Sequence, residues 1–544
     1  MRAFENNKRR PIGLAQNRWS FRPLGNYTGK NSASLIGDVA YFMQSFMTKL
    51  SRTRLNVFAI VLACLAAWVV QLRDYLPIAD DFPNATAFGG GMWDTIWSLY
   101  AATGIRRSFA LLSNMPICAA PVEITNALCL TLHFAATALL FGVANVLSRM
   151  PRLAFAVAVL FGVFPFGYGA VTWASGSYII PCLIFFLAAL AILLRHAGRP
   201  LGPDWVMAVV SGHLVFIGCI VGEHLVFASA LVGALALAST GKALCFQDLK
   251  KPWVVAPALA VGLYLVLVLA TQSGATLTDI RGEARSLSTI NPPTVLSVWF
   301  YQVRNFDYFQ PWLQSDAVRL ALLDIGWLRV LGGSILLMGV WACFLRAHSR
   351  NLLPARDIEQ TGEPSHLNMG HVPLVLVLAM MIGLSAVHAL AGGYSASSRH
   401  QYAPLALLAL LAAVVGTRYP LFDRLLAWRS SLPLVLLVLL GAATTWLVTG
   451  LNHFELRRHH ALIDFLAKEN IGGPVRLQFA PPLDSYWPKM RRTLGGYAFD
   501  DEWVLNLALE DRKAAPITIS SNSVATTVRV TWNGVANVVE VVPQ

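Results

Sequence analysis

The sequence predicts an α-helical polytopic membrane protein with a small α/β domain at its C-terminal end. Of the 544 residues, 56% are hydrophobic and only 13% are charged, whereas soluble domains carry about 25% charged residues. Apolar runs of the length that crosses a bilayer, about 20 residues, recur along most of the chain. The segment from residue 451 onward lacks such runs and alternates apolar and polar residues near its end.

About eleven transmembrane helices are predicted from the apolar runs. The stretch 205–239 is the hardest to divide, because a single helix of that length would measure about 52 Å. A turn at Glu223 and His224 is therefore expected within it. The predicted spans lie near residues 55–72, 124–146, 153–171, 178–194, 205–222, 224–240, 252–270, 327–345, 372–390, 402–417 and 432–450.

The distribution of Lys and Arg predicts the orientation. These residues concentrate in 1–54 and in alternate loops, which favours a cytoplasmic N-terminus. With an odd number of spans the C-terminal end is then on the outer side. The predicted organisation is a cytoplasmic segment 1–54, a membrane domain 55–450 with large outer loops 73–123 and 271–326, and an outer domain 451–544.

The C-terminal domain is predicted to combine a helix with a hairpin. A helix is expected over 454–469. Val528, Val530 and Trp532 alternate with polar residues up to Asn533-Gly534, and apolar residues resume beyond it. An Asn-Gly pair between alternating runs is a strong signal for a β-hairpin.

Several function classes find no support. The net charge of +13 is spread over short loops rather than over a basic domain with interleaved aromatics, so nucleic acid is not an expected partner. The seven cysteines include no CxxC pair. Walker A, HExxH and GxSxG motifs are absent from the sequence, which argues against nucleotide hydrolysis, zinc proteolysis and serine hydrolysis.

Two adjacent carboxylates, Asp80 and Asp81, follow the first span within "RDYLPIADDFPN". Neighbouring carboxylates repel each other, which favours protonation of one of them and suits a proton acceptor. The pair could instead hold a divalent cation. The alternative without a function is a solvated pair that caps the next turn.

Arginines on the predicted outer side are candidates for binding phosphate. Arg106 and Arg107 lie in "GIRRSF", and Arg399 lies in "SSRHQY" before the tenth span. A guanidinium matches the oxygens of a phosphate, although a salt bridge to Asp94 would equally account for the first two. Tyr394 and His400 flank Arg399 in the same outer segment.

The pair Glu223-His224 is a further candidate, because ionisable side chains inside an apolar stretch are costly unless they face a cavity or a partner. Trp173 and Tyr178 border a neighbouring outer turn. An interfacial belt of aromatic residues accounts for these two rings equally well.

Taken together, these motifs resemble those of the GT-C superfamily, polytopic glycosyltransferases that use polyprenyl-phosphate-linked sugars. The resemblance rests on "IADDFP" after the first span, "GIRRSF" in a large outer loop, Glu223 at a later outer turn, "SSRHQY" before a late span, and a soluble outer domain at the end. It covers the architecture of residues 55–450, and the motifs of the tail domain match none of the family.

The resemblance implies a bacterial inner membrane with the C-terminal domain 451–544 in the periplasm. It also implies a reaction and roles for these residues. A carboxylate of Asp80 or Asp81 would act as the base, and Arg106, Arg107 and Arg399 would bind the phosphate of the donor. Partners would be a polyprenyl-phosphate-sugar, a cell-surface glycan or lipid acceptor such as lipopolysaccharide, and the lipids of the cell envelope. No cofactor is implied with certainty, and a divalent metal ion stays open.

Two other functions fit part of the pattern. A flippase or transporter of lipid-linked glycans should carry polar residues in the middle of several spans, where this chain is largely aliphatic. An O-antigen polymerase or ligase would carry arginine-rich outer loops rather than an acidic pair after the first helix.

Overall fold

In a computed structural model, the chain folds mainly into α-helices, followed by a four-stranded sheet. Of the described part, residues 56 onward form one compact unit. The structure describes residues 52–73, 75–77, 81, 91, 93–94, 96–97, 100–101, 113–241, 245–271, 292–303, 309, 312–313, 315–349, 371–390, 401–416, 432–479, 502–520, 525–532 and 537–542.

The helices with defined bounds are numbered here in chain order. They are α1 Arg52–Trp68, α2 Val122–Ser148, α3 Pro151–Val163, α4 Tyr168–Thr172, α5 Ile179–Gly198, α6 Asp204–Val221, α7 Val226–Ala230, α8 Val232–Ala238, α9 Phe246–Leu249, α10 Pro252–Thr271, α11 Pro292–Val303, α12 Ser315–Ile325, α13 Trp327–Ser349, α14 Val372–Leu390, α15 Tyr402–Gly416, α16 Leu432–Lys468 and α17 Glu502–Asp511. Helix α2 packs against α3, α5 and α15, and α6 packs between α5 and α10.

An apolar helix lies at each of the eleven predicted spans. Within the described part of the chain, five helices are long and apolar enough to cross a membrane: Val122–Ser148, Ala174–Gly198, Asp204–Val221, Pro252–Thr271 and Leu434–Lys468. These helices indicate a multi-pass membrane protein. The other apolar helices are shorter, so a total of eleven crossings stays a prediction.

The third predicted span, 153–171, is wrong as a single helix. Helix α3 ends at Val163, just before Phe164 and Pro165, because a proline disfavours helical geometry in the residue before it. The carbonyl groups in its last turn are bonded by side chains of other helices. Trp68 donates to Gly162 O at 2.8 Å and Thr445 donates to Val163 O at 2.6 Å, so two of the carbonyls that a helix end leaves without intrahelical partners are bonded by side chains.

The predicted turn at Glu223 and His224 is confirmed. Helix α6 ends at Val221, and Gly222 has extended backbone. Residues Glu223–Leu225 then form a single 3₁₀ turn before α7 begins. Both polar residues therefore lie at a helix boundary.

The last span and the predicted helix 454–469 are a single element, which corrects the predicted division near residue 450. Helix α16 runs unbroken through 37 residues, a length of about 56 Å. Its C-terminal turns leave the apolar part of the helix and carry Leu462, Ile463 and Leu466 into the core of the sheet domain.

The sheet domain has strand order β2-β1-β3-β4, with β1 Gly473–Phe479, β2 Ile517–Ile519, β3 Thr526–Trp532 and β4 Asn537–Val541. Strand β1 is parallel to both of its neighbours, and β3 pairs antiparallel with β4. The predicted hairpin is therefore confirmed in its strands, while Asn533 and Gly534 lie outside the described residues. Val528 and Val530 face the core as predicted, whereas Val541 is exposed.

Gly167 joins α3 to α4 in a conformation that other residues avoid. Its φ is +73°, and a Cβ added there would lie 2.8 Å from the Cα of Tyr402. A left-handed conformation alone costs an L-residue about 1–2 kcal/mol.

We expect Gly167→Ala to lower the midpoint of thermal unfolding in detergent by several degrees. Gly142→Ala is the matched control, since a Cβ there meets no atom within 4 Å. Equal midpoints for the two variants would contradict this account.

Candidate functional site

The carboxylate of Asp81 is buried and surrounded by hydrogen-bond donors. Its side chain is only 1% exposed. Oδ1 accepts from the backbone N–H of Ser175 at 2.9 Å and from its Oγ at 2.6 Å. Oδ2 accepts from the hydroxyl of Tyr75, and the Sγ of Cys118 lies 3.7 Å from Oδ1. We call Tyr75, Asp81, Cys118 and Ser175 the Asp81 cluster.

Tyr75 is held so that its hydroxyl proton can only point to the carboxylate. Its backbone N–H donates to Val122 O at 2.8 Å, at the start of α2. Its phenol oxygen accepts from the backbone N–H of Ala174 at 2.9 Å, which leaves the O–H free to donate to Asp81. Burial raises the pKa of Tyr75 well above its ordinary value, and the nearby Asp81 raises it further, so the phenol stays protonated.

Ser175 reaches Asp81 because it lies in a 3₁₀ turn, Ala174–Gly176, just before α5. The carbonyl of Ser175 accepts from Asn114 Nδ2 at 2.8 Å, and its hydroxyl lies 3.4 Å from the Sγ of Cys118. Three segments that are far apart in sequence therefore meet at one carboxylate.

Gln71 and Arg73, which follow α1, are held by hydrogen bonds to Asn126. Asn126 donates from Nδ2 to Arg73 O at 2.8 Å and accepts at Oδ1 from Gln71 Nε2 at 2.6 Å. Gln71 and Asn126 are buried, where an unsatisfied amide would cost about 1–3 kcal/mol. The end of α1 is thereby tied to the start of α2.

A second predicted pair lies next to the Asp81 cluster. Tyr178 follows Ser175 by three residues, and its hydroxyl is 3.1 Å from Nε2 of His224. The imidazole of His224 is buried, and the adjacent Glu223 is half-buried. The short segment 173–178 thus contacts Asp81 through Ser175 and His224 through Tyr178.

The remaining predicted residues divide into one that the structure describes and six that it does not. The structure describes Trp173, which is buried rather than exposed at an interface. Within the described part of the chain, no group of three or more His, Cys, Asp or Glu side chains is arranged to hold a metal ion. Asp80, Arg106, Arg107, Tyr394, Arg399 and His400 lie outside the described residues.

His133 is a buried polar residue that the sequence analysis missed. It lies inside α2, with Nε2 3.0 Å from Gly162 O and Nδ1 2.8 Å from the hydroxyl of Tyr402. Because a carbonyl can only accept, Nε2 carries the proton and Nδ1 accepts from Tyr402. A lone histidine in an apolar run gives no sign of partners that are 29 and 269 residues away.

Comparisons with known proteins give one structural similarity to report. No protein-family model matches the chain, and no curated protein matches it by sequence. A crystal structure of the Archaeoglobus fulgidus oligosaccharyltransferase, in complex with zinc and sulfate, matches with a TM-score of 0.33 and 11% identity. The match covers 82% of this chain, which spans 61% of the length of that protein. It is therefore the residues of the chain itself that indicate a function.

The hydrogen bond from Tyr75 predicts a specific pH dependence of stability. In the unfolded chain tyrosine ionises near pH 10, whereas the pKa of the folded phenol is raised well above that value. The stabilisation from this raised pKa is therefore complete below about pH 10 and is lost as the pH rises further. We expect Tyr75→Phe to lower the unfolding midpoint at pH 8. Above about pH 10 the difference between the midpoints of the wild type and the variant should become smaller.

The measurement is a series of thermal unfolding midpoints of both proteins in detergent between pH 8 and 11. The quantity compared is the difference between the unfolding midpoints of the two proteins at each pH, because the other tyrosines and the cysteines ionise in both. A gap that stays constant across this range would show that Tyr75 does not donate to a buried carboxylate.

Proposed function

We propose that this protein transfers a sugar from a polyprenyl-phosphate-linked donor to a glycan or lipid acceptor at the outer face of a bacterial inner membrane. The observation that carries the proposal is the buried carboxylate of Asp81, held by donors directly after the first apolar helix. A reaction on a membrane-bound donor needs its acid at this depth, close to the phosphate of the lipid.

The two aspartates take different roles in this proposal. Asp81 already accepts hydrogen bonds from Tyr75 and Ser175 and is closed off from solvent. A general base needs a lone pair within reach of the acceptor hydroxyl, and the carboxylate of Asp81 is buried among its own donors instead. We therefore assign Asp81 to fixing the loop and Asp80, the preceding residue, to accepting the proton.

The chemistry requires one base and one site for the leaving group. The acceptor oxygen loses its proton to the base and attacks the anomeric carbon, and the bond from that carbon to the phosphate oxygen breaks. The electron pair leaves with the polyprenyl phosphate, whose charge Arg106, Arg107 and Arg399 would stabilise. A single displacement of this kind inverts the configuration at the anomeric carbon.

Glu223 and His224 are proposed as supporting polar groups. The contact of Tyr178 with His224 brings an imidazole, with Glu223 next to it in sequence, to the segment that carries Ser175. We propose that they orient the acceptor. Tyr394 and His400 would accompany Arg399 at the donor.

Asparagine variants of the two aspartates test this assignment. We expect Asp80→Asn to reduce sugar transfer by at least about 100-fold, the usual contribution of a general base, with the unfolding midpoint unchanged. Asp81→Asn should lower the midpoint as well as the transfer, because an amide nitrogen would face groups that donate. Asp94→Asn, an exposed acid of the same loop, is the matched control and should retain transfer.

The assay compares strains that express each variant at equal membrane abundance in a deletion background. Surface glycans are analysed by mass spectrometry, and purified protein is tested with polyprenyl-phosphate-linked hexoses and pentoses. An unchanged glycan after deletion of the gene would refute the proposal. Accumulation of the complete lipid-linked glycan at the inner leaflet would instead identify a flippase.

A further inference from the structure

Two residues that precede Asp81, Arg73 and Pro77, contact the last membrane helix, α16. Arg73 Nη2 donates to Thr449 O at 3.2 Å, and His460 Nε2 lies 2.8 Å from Pro77 O. Because a carbonyl can only accept, His460 is the donor in the second contact. The two positions on α16 are about 16 Å apart along the helix axis.

Directly beyond His460, the same helix enters the sheet domain. Leu462, Ile463 and Leu466 are buried there against Val475 of β1 and Val528 of β3. Helix α16 thus contacts Pro77 through His460 and, within the next two turns, contributes to the core of the sheet domain.

The rotation of α16 between these contacts is fixed by buried charges. Glu455 is 1% exposed and pairs with Arg458 at 2.5 Å. His459, next to His460, is buried as well. Both members of this ion pair lie on α16 and would turn with it. Rotation would nevertheless carry these buried charges and His459 into different surroundings, where the cost of their desolvation would have to be compensated again. The orientation of His460 toward Pro77 is therefore set by the whole turn.

We propose that His460 is a positioning residue for the acidic pair. Its hydrogen bond holds Pro77, three residues before Asp80, in the place that lets Asp81 reach Tyr75 and Ser175. Through the same helix the sheet domain is coupled to the acidic pair. The catalytic meaning of this coupling rests on the proposed function, but the coupling itself is a structural statement that is tested separately.

Cys118 reports on the Asp81 cluster without any assay of activity. Its thiol lies 3.7 Å from Asp81 and is only partly buried. Cys245, which is exposed, and Cys343 are first replaced by serine, so that labelling with a membrane-impermeant maleimide follows Cys118. We expect His460→Ala to raise the labelling rate about fivefold, the factor given by losing one hydrogen bond of ordinary net strength.

Two further variants separate positioning from general destabilisation. His460→Gln should restore the slow labelling, since its amide N–H can take the place of the imidazole Nε2–H. Arg457→Ala, at an exposed position of the same helix, should label like the wild type. If His460→Ala does not reach the membrane, His460→Asn replaces it, because its shorter amide does not reach Pro77.

A wild-type labelling rate in His460→Ala would overturn the proposal, as would equally fast labelling of the Ala and Gln variants. In the transfer assay, His460→Ala should lower kcat and leave KM for the donor unchanged. If labelling behaves as expected but no sugar transfer exists, the proposed function fails and the coupling stands. If sugar transfer is confirmed but the labelling rate of Cys118 is the same in every variant, the proposed coupling is wrong and the proposed function stands.

Discussion

The burial of one carboxylate is the constraint on which the described part of this protein depends. Removing an ionised carboxylate from water costs several kcal/mol unless hydrogen bonds replace its hydration. Asp81 meets this cost with donors from Tyr75 and Ser175, which belong to segments that precede α2 and α5. Tyr75 in turn accepts from the backbone N–H of Ala174, and the carbonyl of Ser175 accepts from the side chain of Asn114. Satisfying the carboxylate therefore also fixes how these helix ends meet.

Much of the fold could be predicted because it depends on local patterns. Apolar runs placed a helix at every predicted span, and the alternation of Val528 and Val530 identified the strand and its buried face. The divisions that failed depend on context. Pro165 separates α3 from α4, and the polar residues after 450 predict the end of a span. They instead continue α16, with Glu455, Arg458 and His459 buried against other segments.

The site could be predicted only in part, for a related reason. An acidic pair after an apolar helix is visible in the sequence, but its partners are not: Ser175 is 94 residues from Asp81, and a serine in an apolar turn carries no signal of its own. The same holds for His460, which resembles other residues of a basic polar run until Pro77 is found beside it. Long-range hydrogen bonds are a property of packing, which periodicity does not encode.

The unbroken course of α16 also determines how this chain tolerates change. In an unbroken helix the rotation of one end about the axis determines the rotation of the other end. Each residue adds a rotation of about 100° and a rise of 1.5 Å. Inserting or removing a single residue between Thr449 and Leu462 would therefore swing the sheet domain to another side of the helix axis. Insertions of three or four residues would nearly restore the original rotation about the helix axis, and they would mainly move the sheet domain along that axis. The length of this connection is thus restricted in steps of whole turns, unlike that of a flexible linker.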